Sequence, residues 1–404
     1  MSFYRTRNLI FLILTIFPLS LSASDKVLNW GGYISTYFTI NDNALDIYSN
    51  HQYFVQTGFN LYLESIVKKD FRFFGELKYL YAPNAGGFVY NEQWVDHTHN
   101  YYLNEHFTYD NWNALLIERA YAEWMGRQSF NIRIGKLLLP FGIWNQDHGD
   151  PALTTIRPPN LIVFNTFPRA ITGVEIYGSF FPTYDNRLKY HMYIANNESE
   201  NSESRNASKR FSFGSRIESN NHFSDDFILD IGLSLYNGNR IWYVMAFEAP
   251  DFIQKTRIDR LINKTVLGSD IKIHLSRFLI QAELNICDVN AKKNYRDETL
   301  YQWYAQIEYN IEDILRPYFR YDYDLFDPNL KPIYFGMNSA SVTWDLSNNP
   351  FIGKRWLAQT LTFGFNIRPI PEFIIKMEVV HFIFEKDLHV DDYNVYNIGI
   401  TLAF

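Results

Sequence analysis

The sequence alternates apolar and polar residues in short segments that occur in pairs. In "FNLYLESIVKKDFRFFGELKYLYAP", apolar side chains occupy alternate positions on both sides of a polar turn at residues 68–70. Such alternation is typical of β-strands with one apolar face, and two segments about a tight turn predict a β-hairpin. Six more pairs are joined by turns at residues 126–129, 182–186, 220–225, 276–277, 311–314 and 368–372. With the segments at 30–40 and 393–404, the pattern predicts sixteen strands.

Long connections separate these hairpins, including residues 83–113, 139–169, 238–263 and 326–356. Structureless loops of that length are uncommon in compact soluble domains, whereas short turns alternating with long loops are typical of transmembrane barrels. We therefore predict an all-β fold over residues 24–404: an antiparallel up-and-down transmembrane β-barrel with short periplasmic turns and long extracellular loops. The strand number becomes eighteen if segments 240–251 and 333–345 add a hairpin.

A soluble β-sandwich or propeller is the alternative that also explains the alternation. Aromatic residues make up 18% of the chain, and Tyr and Trp gather near segment ends, as in "NWGGY", "YQWY" and "RYDYD". Membrane barrels place amphipathic rings at both membrane interfaces, which a soluble sandwich does not require. This distribution favours the barrel.

The N-terminal segment and the composition indicate export to a membrane. Arg5 and Arg7 precede an apolar run at residues 8–23, which predicts a cleaved signal peptide over residues 1–23 rather than an amphipathic anchor. The single Cys287 excludes an internal disulfide, and the net charge of −7 offers no field for nucleic acid. We expect a location in the bacterial outer membrane, with the lipid bilayer and lipopolysaccharide as partners.

The C-terminal segment "YNIGITLAF" has the same alternation up to its last residue. Asn397, Gly399 and Thr401 share the polar face, which we expect to face the lumen once this strand closes the barrel. The apolar face carries Ile398, Ile400, Leu402 and Phe404. This ending resembles the C-terminal signature of bacterial outer-membrane barrels, and the resemblance implies recognition by the barrel-assembly machinery.

A barrel of sixteen strands is too wide for wall side chains alone to fill. The first predicted strand begins close to the signal peptide, so we expect no N-terminal plug domain. A water-filled porin narrowed by a loop fits best, and it would pass ions and small hydrophilic solutes by passive diffusion. The alternative is an occluded barrel that serves surface adhesion or binding.

Two motifs carry a family resemblance. "IERAYAEW" is followed by Gly135-Lys136 and by Pro140-Phe141-Gly142 before a long loop. This arrangement resembles the phosphate-selective porin O/P-like outer-membrane proteins over residues 115–177, and the rest of the chain matches them only in barrel layout. The resemblance implies a homotrimer of sixteen-stranded channels whose third loop folds into the pore.

The loop at residues 139–169 is the predicted constriction. Four prolines restrict its conformations, at positions 140, 151, 158 and 159. Charged and titratable side chains in a narrow passage set ion preference, and this loop offers Asp147, His148, Asp150 and Arg157. The alternative is that these groups merely solvate an external loop.

Charged residues also recur on the predicted lumen face of the strands. The residues predicted to line the pore are Arg72, Glu76, Lys78, Arg133, Arg216, Lys272, Arg316 and Arg320. Further carboxylates occur on the same faces, so the wall is mixed in sign and lacks the cationic cluster that phosphate selection requires. A salt bridge between neighbouring strands explains each of these charges equally well.

Other chemistry finds little support. The sequence contains no catalytic or nucleotide-binding motif, and we predict no enzyme activity and no cofactor. Ligand-type residues occur close together at His97, His99, Glu105 and His106, and at Asp322, Asp324 and Asp327. Neither set has a recognised metal-binding spacing, so we predict no metal site.

Overall fold

The computed structural model describes residues 26–41, 53–81, 113–146, 149–163, 166–196, 211–246, 256–291, 298–326, 356–384 and 392–404. These contain sixteen strands in a closed barrel. The strands are β1 Lys26–Asn41, β2 Tyr53–Val67, β3 Phe71–Tyr81, β4 Asn113–Arg127, β5 Phe130–Leu138, β6 Ala170–Phe180, β7 Asn186–Asn196, β8 Phe211–Ser224, β9 Phe227–Ala246, β10 Thr256–Leu275, β11 Phe278–Ala291, β12 Glu298–Tyr309, β13 Leu315–Phe326, β14 Trp356–Ile370, β15 Phe373–Phe384 and β16 Tyr393–Ala403. A single helical turn, α1, covers Asn160–Val163.

Every strand pairs antiparallel with its neighbour in sequence, and the last strand pairs with the first. The closing register places Ser35 opposite Thr401, and Gly32 and Phe404 exchange two backbone hydrogen bonds of 3.0 Å. The prediction of sixteen strands is confirmed. Eighteen is wrong, because β9 pairs directly with β10 and β13 directly with β14, which leaves no place for a further hairpin. Residues 333–345 themselves lie outside the described residues.

Alternation along each strand separates an outer apolar face from an inner polar face. On β16, the outward side chains of Ile400 and Phe404 are 47% and 48% exposed, whereas the inward Asn397 and Thr401 are buried. The Asn397 side chain donates to Glu378, and the Thr401 hydroxyl hydrogen-bonds Ser35. The predicted assignment of the C-terminal faces is therefore confirmed, and no strand of this barrel has a free edge.

The seven predicted short turns all join consecutive strands. Two of them place adjacent residues at positive φ, Lys68 and Lys69 in one and Glu312 and Asp313 in the other. Such turns match the right-handed twist of the flanking strands. The predicted loop at residues 238–263 is largely wrong, because β9 extends to Ala246, β10 begins at Thr256, and the two strands are paired up to these residues.

None of the helices in the described part of the chain is long and apolar enough to cross a membrane. The predicted signal peptide at residues 1–23 lies outside the described residues and stays a prediction.

A cluster of apolar side chains is buried within the cylinder. It joins residues of the 139–169 segment to inward-facing residues of the wall. The segment contributes Leu139, Phe141, Trp144, Leu153, Leu161, Ile162 and Phe167, and the strands contribute Leu137, Ile171, Tyr193, Ala195, Tyr236, Val266, Cys287, Leu300 and Tyr304. The 139–169 segment thus packs against the inner face of the barrel.

Candidate functional site: the lumen and its inner segment

Inward-facing carboxylates of the wall bind the backbone of the 139–169 segment. The Trp144 amide donates to Glu283 of β11 over 2.7 Å, and the Arg157 amide donates to Glu378 of β15 over 3.2 Å. At the start of α1, the Asn160 amide donates to an Asp322 oxygen of β13 over 2.9 Å. These bonds satisfy backbone N–H groups that would otherwise be buried without a partner.

Basic side chains of the wall bind the carbonyl groups of the same segment. Lys376 of β15 donates from Nζ to the carbonyls of Asp150 and Leu153 over 2.8 and 2.7 Å. Arg320 of β13 donates to the Arg157 carbonyl over 2.9 Å, and the segment has restricted backbone freedom here because of its prolines. Donors and acceptors therefore hold the segment against β11, β13 and β15.

Asn160 connects the segment again to β13 and to one further strand, β14. Its side-chain nitrogen donates to Asp324 over 2.6 Å and to the Thr360 hydroxyl over 3.0 Å. Its side-chain oxygen accepts from Arg157 over 2.6 Å. Because both ends of this amide are used, Asn160 fixes the position of α1 on the inner wall.

The four residues predicted for the constriction have different positions. Asp147 and His148 lie outside the described residues. The Asp150 side chain hydrogen-bonds the Tyr37 side chain of β1. Arg157 is only 2% exposed, and its guanidinium lies 4.7 Å from the centre of the Phe382 ring. The role of these four residues in ion passage therefore stays a prediction.

The wall on the other side, from β2 to β6, has a ladder of ion pairs. Arg72 pairs with Glu64 over 3.3 Å and also with Glu123. Arg133 pairs with Glu123 and, over 3.2 Å, with Glu175. A third arginine, at position 119, pairs with the carboxylate at position 76 over 2.6 Å.

Arginines and carboxylates of this ladder differ in accessibility. The side chains of Arg72, Arg119 and Arg133 are 24%, 26% and 24% exposed, whereas those of Glu76, Glu123 and Glu175 are at most 3% exposed. Aromatic rings lie between the arginines, with Arg133 4.1 Å from the centre of the Tyr177 ring. Glu64 is the one carboxylate of this ladder that is as accessible as the arginines, at 24%. The accessible charge of this wall is therefore carried mainly by guanidinium groups.

The remaining residues predicted to line the pore also alternate with outward apolar residues. Lys78 and Arg216 are buried, and Arg216 pairs with Asp270. Arg316 lies 3.7 Å from Glu308, and Lys272 is half-buried opposite Asp230 in the strand register. Ion pairing between strands, the alternative left open by the sequence, is thus observed for several of the predicted residues.

Sequence reasoning missed part of this lumen. Arg119 and Glu123 were not assigned to it, because a β-bulge opposite Glu76 and Leu77 shifts the register of β4 and breaks the simple alternation. The buried apolar wall residues were also missed. Consecutive apolar residues such as Val266 and Leu267 could have indicated them, because neighbouring residues of a strand lie on opposite faces and one of the two must therefore face the lumen.

No group of three ligand-type side chains that could hold a metal ion occurs within the described residues. Asp322 instead accepts from Arg320 over 2.8 Å, and Asp324 accepts from Gln302 over 2.9 Å. Residues 97–106 and Asp327 lie outside the described part of the chain.

Known proteins were compared with this chain by sequence and by structure. No family model and no curated protein matches the sequence. Among solved structures, the loop L8 deletion mutant of OmpT from Vibrio cholerae is 10% identical with a TM-score of 0.58, covering 94% of this chain and 100% of its own. The anion-selective porin of Comamonas acidovorans is 9% identical with a TM-score of 0.57, covering 94% of this chain and 100% of its own. OprB of Pseudomonas putida is 9% identical with a TM-score of 0.57, covering 93% of this chain and 94% of its own. At such identities the likeness shows the fold, which is that of outer-membrane porins.

Proposed function

We propose that this chain is an outer-membrane porin that passes ions and small hydrophilic solutes by passive diffusion. The observation that carries the proposal is the asymmetry of the lumen. Hydrogen bonds hold the 139–169 segment mainly to β11, β13 and β15, and its apolar side chains also pack on inward residues of other strands. The wall from β2 to β6 nevertheless keeps partly exposed charged side chains. A segment that leaves a charged part of the wall exposed narrows a channel, whereas an occluding plug would cover those charges.

We further propose that the accessible arginines bias the channel toward anions. The carboxylates beside Arg72, Arg119 and Arg133 neutralise part of their charge, yet Glu76, Glu123 and Glu175 are nearly buried and only Glu64 is as exposed as the arginines. A passing ion therefore meets guanidinium groups first. Phosphate selectivity, for which the sequence lacks a cationic cluster, also gains no support from a wall in which each of these arginines pairs with a carboxylate.

Location and assembly belong to the same proposal. Residues 1–23 serve as the signal peptide, and the mature chain assembles in the outer membrane, in contact with lipopolysaccharide, as a homotrimer. Ile398, Ile400, Leu402 and Phe404 form the signal for the barrel-assembly machinery. We propose no catalytic activity for the chain.

Planar-bilayer recording of the purified, folded protein tests the channel. We expect stepwise KCl conductance, with openings grouped in threes for a trimer, and a reversal potential in a salt gradient that indicates anion preference. Folded protein that stays silent at high concentration would overturn the proposal and favour the occluded adhesion protein. A cation-selective reversal potential would reject only the anion bias.

A further inference from the structure

A second concave site lies at the short-turn end of the barrel, away from the 139–169 segment. It is a cavity of about 450 Å³ on the inner side of β6 to β10 and their turns. Its lining includes Phe181, Arg187, Lys189, His222, Ile228 and His274, and none of its lining residues belongs to the 139–169 segment. The volume falls in the range of small-molecule sites.

Basic groups line one part of this cavity. The Arg187 guanidinium donates twice to the Ser179 hydroxyl, over 3.0 and 2.9 Å, and this acceptor is neutral. Among the described residues, no carboxylate lies within ion-pair distance of Arg187. Lys189, by contrast, binds Glu218 over 2.7 Å. Arg187 is thus the cation of this cavity whose charge is least compensated.

Two histidines extend the basic part of the lining. In the strand register, His222 of β8 lies opposite Ile228 of β9, and Ile228 lies opposite His274 of β10. Neither imidazole hydrogen-bonds another side chain within the described part of the chain. Both rings can therefore donate N–H groups to an anionic ligand.

The cavity also contains acidic groups, which limit the choice of ligand. Asp185 and Asp230 are part of its lining, and Asp230 accepts from Asn220 over 2.8 Å. Asp230 lies opposite Lys272 in the register, so a basic neighbour offsets its charge. These carboxylates would repel an anion that carries several negative charges. A ligand with one carboxylate can place it at Arg187 and brings no second negative charge near Asp185 or Asp230.

Apolar surface lies next to the Arg187 guanidinium. Arg187 lies 5.7 Å from the centre of the Phe181 ring, and Ile228 faces the same space. Phe181 is 49% exposed, so its ring is available to a ligand. The site thus combines one cationic anchor with a small apolar surface, as small-molecule sites generally do.

We propose that this cavity binds small monocarboxylates with a compact apolar body. The carboxylate pairs with Arg187, with N–H groups of His222 and His274 nearby, and the apolar body packs on Phe181 and Ile228. The proposal concerns binding at the short-turn end and does not depend on whether the barrel conducts ions.

Equilibrium dialysis of the folded full chain in detergent micelles tests this site, with labelled benzoate as the probe and protein-free micelles as the blank. We expect saturable binding. Acetate, which has only the charged group, and benzyl alcohol, which has only the ring, should compete at least several-fold less well than unlabelled benzoate. Arg187→Gln should weaken benzoate binding roughly tenfold, because the charge-assisted bond is lost.

Arg127→Gln is the matched control, since it removes an exposed arginine at the same end of the barrel that does not line the cavity. It should leave benzoate binding unchanged, and Phe181→Ser should weaken it about threefold. Absence of saturable binding, equal effects of the two arginine variants, or competition by acetate as strong as by benzoate would each overturn the proposal. Heat-modifiable gel mobility verifies that every variant is folded.

Discussion

Lys376 shows how a single buried side chain positions a long segment. Its ammonium group is fully buried and donates to the carbonyls of Asp150, Leu153 and Thr155. A buried charge is costly unless hydrogen bonds surround it, and here the polar backbone of the segment supplies them. The segment and the lysine therefore stabilise each other within the lumen.

Replacing Lys376 by Met should loosen the segment while leaving the barrel closed. Three carbonyls lose a charged donor, which we expect to cost about 1.5–3 kcal/mol of unfolding free energy. Single-channel recording should show an altered mean conductance and increased open-channel noise. Lys189→Met removes a lumen charge that pairs with Glu218 instead, and it should not increase the noise. Equal noise in both variants would contradict the positioning role.

Arg133 carries a further prediction at this scale. Arg133→Gln removes an accessible guanidinium that pairs with Glu123 and Glu175, and it leaves those carboxylates with less compensation. The reversal potential in a KCl gradient should shift toward cation preference. Arg277→Gln, which changes an exposed arginine in the β10–β11 turn, serves as the control and should shift it far less. A shift of the same size in both variants would contradict this role of Arg133 and would indicate that the net charge of the protein sets the ion selectivity.

Sequence alone predicts which residues face inward but not what they contact. Strand alternation assigns Arg320, Lys376 and Glu378 to the lumen, because side-chain direction has a period of two residues. Their bonds to the 139–169 segment join positions more than 160 residues apart, such as Lys376 and Asp150 at a separation of 226. Such contacts have no local signal, since they follow from the path of the segment through the closed barrel.

At the scale of elements, the hairpins are predictable because the pattern and the turn are both local. The β2–β3 hairpin has alternation on both strands and a three-residue turn, and the structure reproduces it. The extended β9–β10 pair was missed, because the sequence from 240 to 251 was interpreted as a loop or as an additional strand. The structure instead continues two existing strands, each 20 residues long.

The contact between the first and last strands depends on a glycine. A Cβ at Gly32 would collide with the Asn60 carbonyl and would lie 2.8 Å from the Phe404 ring. Gly32→Ala should therefore lower the heat-modifiable, folded fraction of refolded protein. Gly75 is the matched control, because a Cβ there meets nothing within 4 Å, and Gly75→Ala should refold like the wild type. Equal yields of the two variants would contradict this account of closure.

At the scale of the whole molecule, the wall is uneven in height. β5 has 9 residues and β9 has 20. With a rise of about 3.3 Å per residue and a tilt of about 40°, β5 reaches only about 23 Å across the membrane. That height is just under the apolar band of about 25 Å that outer-membrane barrels present, so β5 offers the least apolar surface to lipid, and another subunit can cover this side.

The proposed trimer should therefore form through the side of the barrel that contains β5. Ile134 on β5 and Leu233 on β9 are outward residues that are 57% and 61% exposed in the single chain. Ile134→Arg should shift the purified protein from trimer to monomer in light scattering coupled to size-exclusion chromatography, because a charge buried between subunits lacks a partner. Leu233→Arg adds the same charge where only detergent covers it and should remain trimeric. If Leu233→Arg dissociated the trimer and Ile134→Arg did not, the interface would lie on the side of β9. Dissociation of both variants would indicate a general effect of charge on the apolar surface.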